Sequence, residues 1–442
     1  MMQRLRSFWI DINASYWFYP ALFSVTAFLL ALLTVYLDRH GLSEWLNDID
    51  WIHPSRPAGA RTVLTVIAGS MIGVASTVFS ITIAAVAYAS GNYGTRLLTN
   101  FMQDRGNQLS LATFIAAFVY ALAVLRVVRG EDERPADVTD ALATDLPGFT
   151  PQLSLLVATA LAFAAVAVLV YFLHHIPDSI RINTVLKGIG RQLIADIEHR
   201  FPDEDGDAER RAPLGGQPVC ASRTGYVKFI DFEALDEIAR RRQAVVELKL
   251  RTGDFVHVGV QLLEIGVPEA DGKLEEELRE CFKLGGTRTR LQDIEFLIDE
   301  LVEIALRALS PGINDPFTAI TAIHWLGGAT AELGRRHLVC GPDQELYDRD
   351  RVRPLFDGFE HFLRRGFGGM CAAAATNPLA ALAYIDTLGA VARAAERKER
   401  RELLFGQARQ LRDQARTVLA GPALAAVEEG YEQVAAQWPE TQ

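Results

Sequence analysis

The sequence predicts an α-helical polytopic membrane domain with four transmembrane helices, followed by a cytosolic α+β domain with a small β module and a helical bundle. Two observations carry this prediction. The first 180 of the 442 residues hold only 10 of the 44 Lys and Arg residues and no lysine, whereas the rest of the chain is rich in charge. Four apolar stretches that are long enough to cross the ~30 Å hydrocarbon layer of a bilayer also fall within these 180 residues.

The four predicted spans cover residues 16–37, 62–89, 109–125 and 153–173. The first apolar run is longer than the h-region of a cleaved signal peptide, so we interpret it as a span. Near the span ends, Lys and Arg residues number seven on the side of the N terminus and five on the opposite side. The positive-inside rule then predicts that both termini lie in the cytoplasm.

The second span carries small and hydroxyl residues at steps of three and four, which places them on one helical face. The members that we single out as pore-lining or helix-packing residues are Gly69, Gly73, Ser76, Thr77 and Ser80. Such a face allows close helix packing in lipid. It also provides a hydroxyl-lined path when the helix is repeated around an oligomer axis. Both interpretations stay open.

Charge limits the classes of function. No Asp, Glu, Lys, Arg or His lies inside any predicted span, which argues against proton relays, voltage sensors and most ion-coupled transporters. The formal net charge of −11 provides no basic field for nucleic acid, so we predict no nucleic-acid partner. The charge pattern is compatible with two classes of function: a passive path across the membrane and a purely structural membrane domain.

The domain boundaries follow from changes in composition. Residues 1–180 form the predicted four-helix membrane domain, 181–217 an amphipathic helix and a linker, 218–270 the small β module, and 271–442 the helical domain. At the end of the fourth span, His174 and His175 are adjacent and point about 100° apart on a helix, so one ion cannot readily take both. We interpret them as polar anchors at the membrane interface.

A loop in the helical domain is a candidate contact site. Asp315 is placed as the N-cap of a helix that begins at Pro316. That leaves Ser310, Gly312 and Asn314 freer to contact a ligand or a subunit. We also count Asp315 among the candidate contact residues of this loop. The preceding helix has an acidic face with Asp293, Glu300 and Glu303, for which ion pairing is expected rather than a calcium loop.

The search for catalytic motifs is negative. The four cysteines lack the spacing of a metal site, and no P-loop, GxGxxG, HExxH or GxSxG occurs. We therefore predict no cofactor, no metal and no catalytic residue, and we do not predict an enzyme. An enzyme that uses the acids near residues 293–303 stays as the third alternative.

Five strings resemble a known family. They are QDRGNQ (103–108), YFLHHI (171–176), GYVKFID (225–231), QDIEF (292–296) and ALSPGINDP (308–316). Through these strings the chain resembles the bacterial family of four-span membrane proteins catalogued as a domain of unknown function. The resemblance extends from the first span to about residue 330. The resemblance implies the bacterial inner membrane and no established activity.

The functional prediction combines these observations. We expect a homo-oligomeric passive channel in contact with membrane lipid, with an ion or small solute as the permeant species and a cytosolic vestibule or gating domain. The alternative is a non-catalytic membrane scaffold or sensor that binds a partner or ligand through its cytosolic domain.

Overall fold

The computed structural model describes residues 16–41, 56–94, 104–130, 149–201, 213–267, 271–338, 351–355 and 357–438. Most of the predicted linker, residues 202–212, lies outside the described residues. The chain divides into two compact units, Met1–Arg181 and Ile182–Gln442, which we call the membrane unit and the C-terminal unit. The predicted fold class is confirmed, because four membrane-capable helices precede a unit of small sheets and helices.

The described part of the membrane unit contains four helices that are long and apolar enough to cross a membrane. They are α1 (Phe18–Arg39), α2 (Pro57–Tyr93), α3 (Arg105–Leu125) and α4 (Gln152–Ser179). α2 has 37 residues. At 1.5 Å per residue it is about 55 Å long, which exceeds the ~30 Å hydrocarbon layer.

The third helix forms the centre of this bundle. α3 packs against each of the other three helices, and its Tyr120 is fully buried. The Tyr120 hydroxyl shares a hydrogen bond of 2.8 Å with the Thr34 hydroxyl and donates another to the Ser154 carbonyl. Hydrogen bonds between helices stabilise bundles in lipid, so this network joins α1, α3 and α4.

The N terminus of α4 is capped from another helix. The Asp38 carboxylate at the end of α1 accepts hydrogen bonds of 3.0 Å from the N–H groups of Leu153 and Ser154. It also accepts one of 2.7 Å from the Ser154 hydroxyl. The first N–H groups of a helix have no partner within it and carry partial positive charge. The acid therefore stabilises the start of α4 and fixes it next to the end of α1.

Two small sheets follow helix α5 (Ile182–Arg200) in the C-terminal unit. The strands are β1 (Gln217–Cys220), β2 (Gly225–Ile230), β3 (Val246–Leu248), β4 (Phe255–Val256), β5 (Gln261–Ile265), β6 (Phe282–Gly285) and β7 (Val352–Arg353), and the helices among them are α6 (Phe232–Arg242) and α7 (Gly272–Glu280). One sheet has the order β1-β5-β3-β7 and the other β4-β2-β6. Only the β3–β7 pair is parallel among the described strands. β6 and β7 come from outside residues 218–270, so distant segments complete both sheets.

The rest of the described C-terminal unit is helical. Its helices are α8 (Ile294–Ala308), α9 (Pro316–Arg335), α10 (Phe359–Leu363), α11 (Gly369–Ala374), α12 (Pro378–Ala394), α13 (Lys398–Val418) and α14 (Gly421–Ala436), with a π-helical turn (Arg364–Gly368) between α10 and α11. α5 packs against α8 and α9. A Cβ atom on Gly190 of α5 would lie 2.4 Å from the Trp325 ring of α9, so only glycine allows this close packing.

Candidate functional site

The small-residue face of α2 points away from the bundle of its own protomer. We call Gly69, Gly73, Ser76, Thr77 and Ser80 the Gly/Ser face, and all five residues are exposed. The opposite side of α2 is buried in the bundle through residues that include Leu64, Ile67, Met71, Ala75 and Val78. The described part of the chain therefore leaves this face without a packing partner.

The surface of the Gly/Ser face is open and polar. A Cβ atom added to Gly69 or Gly73 would meet no other atom within 4 Å. The Thr77 hydroxyl donates to the Gly73 carbonyl at 3.1 Å, and the Ser80 hydroxyl donates to the Ser76 carbonyl at 2.9 Å. The hydroxyl protons are thus satisfied within the helix, while each oxygen keeps acceptor capacity. Such a face offers uncharged acceptors to whatever lies against it.

The loop between α8 and α9 satisfies most of its polar groups locally. The Ser310 hydroxyl donates to the Arg307 carbonyl at 2.6 Å. The Asp315 carboxylate accepts hydrogen bonds from the N–H and the hydroxyl of Thr318 at 3.2 and 2.6 Å. Asn314 has a φ of 50°, a left-handed conformation that asparagine tolerates better than most residues. These contacts explain a large part of the loop sequence as helix capping.

Two large apolar side chains are exposed at this loop, beside the residues that the sequence singled out. Gly312 and Asn314 are exposed, and beside them Ile313 is 44% exposed and Phe317 70% exposed. Sequence reasoning singled out the polar members and missed these two. Ile313 lies in the loop and Phe317 in the first turn of α9, so these two exposed apolar side chains join the candidates for a contact.

The structure places the three acids of the predicted acidic face in different surroundings. Asp293 caps α8 by accepting from the Phe296 N–H at 3.1 Å and receives two hydrogen bonds from Arg288 at 2.9 and 2.6 Å. Glu300 is only 1% exposed. Glu303 lies 3.5 Å from Arg307. Among the described residues, the group of side chains close enough to hold a metal ion includes none of these three acids.

A charge network that the sequence did not reveal surrounds Glu295. Arg251, Arg365 and His361 approach its carboxylate at 2.9, 2.5 and 2.6 Å. Asp357 accepts from the same Arg251 at 2.7 Å. Glu295 lies in the QDIEF string, but its partners Arg251, His361 and Arg365 come from the β module, from α10 and from the π-helical turn. We call these five residues the Glu295 network.

The Glu295 network has the ligand types of a metal site, but arginine side chains already surround its central carboxylate. One ligand atom from each of Glu295, Asp357 and His361 lies within 4.8 Å of the others. Both Glu295 oxygens already accept from guanidinium groups, Oε1 from Arg251 and Oε2 from Arg365. A cation would have to displace these positive charges, so the arrangement fits ion pairing better than metal binding.

Burial and charge move the pKa values of two neighbouring acids in opposite directions. Burial raises the pKa of Glu295, but the hydrogen bond from His361 and the charges of Arg365 and Arg251 outweigh it and hold that pKa at about 2. Burial raises the pKa of Asp293 to about 6, although the charge of Arg288 opposes it. Glu295 is therefore fully ionised at neutral pH, whereas Asp293 titrates close to neutral pH.

One histidine of the predicted interfacial pair makes a contact between two helices of the bundle. His175 Nε2 lies 2.9 Å from Asp104 Oδ1, and the Tyr171 ring stacks on the imidazole. Asp104 also caps α3 by accepting from the Asn107 N–H at 3.0 Å. A Cβ atom on Gly106 would lie 2.6 Å from His175 Nε2, so glycine is needed there. The QDRGNQ and YFLHHI strings thus meet in one contact between α3 and α4.

The comparison with protein families identifies the chain. The family described as "Predicted membrane protein (DUF2254)" matches residues 13–390. The chain belongs to this family. The matched region includes the Gly/Ser face, the Asp104–His175 contact, the Glu295 network and the α8–α9 loop. Together with the four apolar helices, family membership supports a membrane location and confirms the resemblance expected from the sequence.

The relatives of this family member are bacterial. Uncharacterized proteins of Mycobacterium bovis and of two strains of Mycobacterium tuberculosis are each 32% identical to it over 354 residues. The aligned region covers 76% of this chain and 64% of each relative, so the chain spans less than two thirds of their length. No solved structure matches the chain.

Proposed function

We propose that the protein is a homo-oligomeric passive channel in which the Gly/Ser faces of several α2 helices line the path of an ion or small solute. One observation carries the proposal: this face is exposed on the protomer, while the opposite side of α2 packs into the bundle. If the face packed against α1, α3 or α4, it would be buried.

A second copy of the chain is the partner that this face fits best. Glycine and serine gain little by facing lipid tails, but they allow the backbones of neighbouring helices to approach closely. The hydroxyl oxygens of the serine and threonine residues also offer acceptors to a permeant solute. Residues 62–89 contain no charged side chain, so the path has no group that would couple transport to proton transfer.

The C-terminal unit is the proposed vestibule or gate. It is continuous with the membrane unit, since α5 begins at Ile182 shortly after α4 ends at Ser179. We place the protein in the bacterial inner membrane with both termini in the cytoplasm. The excess of positive residues on the side of the N terminus and the bacterial relatives support this orientation and location.

Flux measurements on reconstituted protein test the channel. The protein is placed in liposomes, and the leak of ions and of small neutral solutes is followed for the wild type, Ser80→Trp and Ile81→Trp. Ile81 is exposed next to Ser80, but about 100° away around the helix. We expect Ser80→Trp to reduce flux strongly and Ile81→Trp to leave it near the wild-type value. Equal flux in both variants, or no flux in the wild type under varied potential and salt, contradicts the proposal.

A scaffold or sensor is the second candidate function. Its support is the exposure of Ile313 and Phe317 beside a loop whose polar groups are used locally. Proteins captured from the native membrane by the wild type should then be lost with Phe317→Ser and retained with Leu379→Ser. Leu379 is an exposed leucine elsewhere in the C-terminal unit. Capture that is equal in all three proteins contradicts this alternative.

A further inference from the structure

A small cavity lies between α12 and α14 of the C-terminal unit, at the start of α13. Its volume is about 200 Å³, and the residues that line it include Arg393, Arg401, Val434, Gln437 and Trp438. These five residues follow residue 390, where the family match ends, whereas Gly389, which also lines the cavity, lies within the match. Family membership therefore does not imply the cationic and aromatic lining of this cavity.

The polar side of the cavity is cationic. Among the described residues that line it, none is acidic. Arg393 donates from Nη1 to the Gln437 side-chain oxygen at 3.0 Å and so has donors left over. The Arg401 side chain makes no hydrogen bond or ion pair within the part of the chain that the structure describes. Guanidinium groups with unused donors are suited to a carboxylate, whose planar oxygens match the fork of an arginine.

The other side of the cavity is apolar and aromatic. Val434 is buried, and Trp438 packs against Phe405 with ring centroids 4.9 Å apart. An apolar cavity of about 150 Å³ holds benzene, so about 200 Å³ accommodates one ring and a carboxylate but is small for a nucleotide. We propose that this cavity binds a small aromatic carboxylate, with its charge on Arg393 and Arg401 and its ring against Val434 and Trp438.

Ligand-observed fluorine NMR on the full-length protein in detergent tests the proposal. The probes are 4-fluorobenzoate and the uncharged 4-fluorobenzamide, and protein-free micelles of the same detergent correct for partitioning. Wild-type protein should bind the benzoate saturably. A hydrogen bond to a charged group contributes enough that its loss in Arg401→Gln should weaken binding by about tenfold or more. The benzamide should bind more weakly than the benzoate by a similar factor.

Two further variants keep the test informative. Arg409→Gln changes an arginine that lies over the Phe405 ring outside the cavity lining, and it should bind the benzoate as the wild type does. Gln437→Glu is an exposed substitution that introduces an acid, and it should weaken benzoate binding even if Arg401→Gln alters folding. Three results would overturn the proposal: unchanged binding in both Arg401→Gln and Gln437→Glu, equal binding of the two probes, or no saturable binding by the wild type. Inorganic phosphate that displaces the benzoate as effectively as unlabelled benzoate overturns the role of the aromatic wall.

Discussion

Replacing Glu295 by glutamine removes the charge at the centre of the Glu295 network and should destabilise the C-terminal unit. Glu295 is 5% exposed and accepts from Arg251 and Arg365. In Glu295→Gln each arginine loses one acidic partner and keeps another, since Arg251 still contacts Asp357 and Arg365 still contacts Asp299. Removing one member of a buried ion pair typically costs 3–5 kcal/mol, and the remaining partners place this change at the lower end.

The pKa of Glu295 gives a similar magnitude. A carboxyl whose pKa falls from 4.5 to about 2 on folding is stabilised in its charged form by about 3 kcal/mol. Because the folded pKa lies below the unfolded value, this stabilisation is present above pH 4.5 and is lost as the pH falls towards 2. The difference between the wild type and Glu295→Gln should therefore be about 3 kcal/mol at pH 7 and shrink below pH 4.5.

Thiol labelling during urea unfolding measures this difference in the stability of the C-terminal unit. Cys281 and Cys371 are free and buried, and both lie in the C-terminal unit, so their labelling follows its unfolding in the full-length protein. Glu303→Gln is the matched control, because Glu303 forms an i,i+4 pair with Arg307 that is worth about 0.3–0.5 kcal/mol. If Glu295→Gln shifts the free energy of unfolding no more than Glu303→Gln does at pH 7, the Glu295 network does not stabilise the unit.

The same labelling assay tests three further predictions. The pKa of Asp293 is about 6 in the folded protein, above its ordinary 3.8. Between pH 7 and pH 5 the wild type should therefore gain about 1 kcal/mol of unfolding free energy relative to Asp293→Asn. A stability difference between the two proteins that does not change with pH contradicts this. Asn314→Val should cost about 1–2 kcal/mol because of its left-handed backbone, whereas Asn314→Gly should change stability little; equal effects refute the strain. Gly190→Ala should cost about 1–3 kcal/mol by overpacking against Trp325, and an unchanged unfolding midpoint would show that the ring moves aside easily.

Local sequence patterns predicted the features that depend on neighbouring residues. The four apolar stretches predicted the four helices, because length and lack of charge determine whether a segment can cross a bilayer. The Asp315-Pro316 pair predicted a helix start, because capping depends on residues within one turn. The helical spacing of Gly69, Gly73 and Ser80 predicted a common face, but not whether another helix of the protomer covers it.

Features assembled from distant segments were beyond these patterns. Glu295 was visible only as one acid among several on a helix, because its partners Arg251 and His361 are separated from it by 44 and 66 residues. The contact of His175 with Asp104, 71 residues earlier in the chain, was likewise not visible in the sequence. No sequence pattern predicted that Phe317 is exposed, since an apolar residue in a helix is ordinarily predicted to be buried.

The most direct test of the central claim, that the Gly/Ser face lines a path in an oligomer, is thiol block of flux in liposomes. Ser76→Cys protein is treated with a methanethiosulfonate reagent while flux is recorded, beside the wild type and Ile81→Cys. We predict that the reagent reduces flux in Ser76→Cys and leaves the wild type, with its four native cysteines, and Ile81→Cys unchanged. Flux that persists in fully labelled Ser76→Cys contradicts the account.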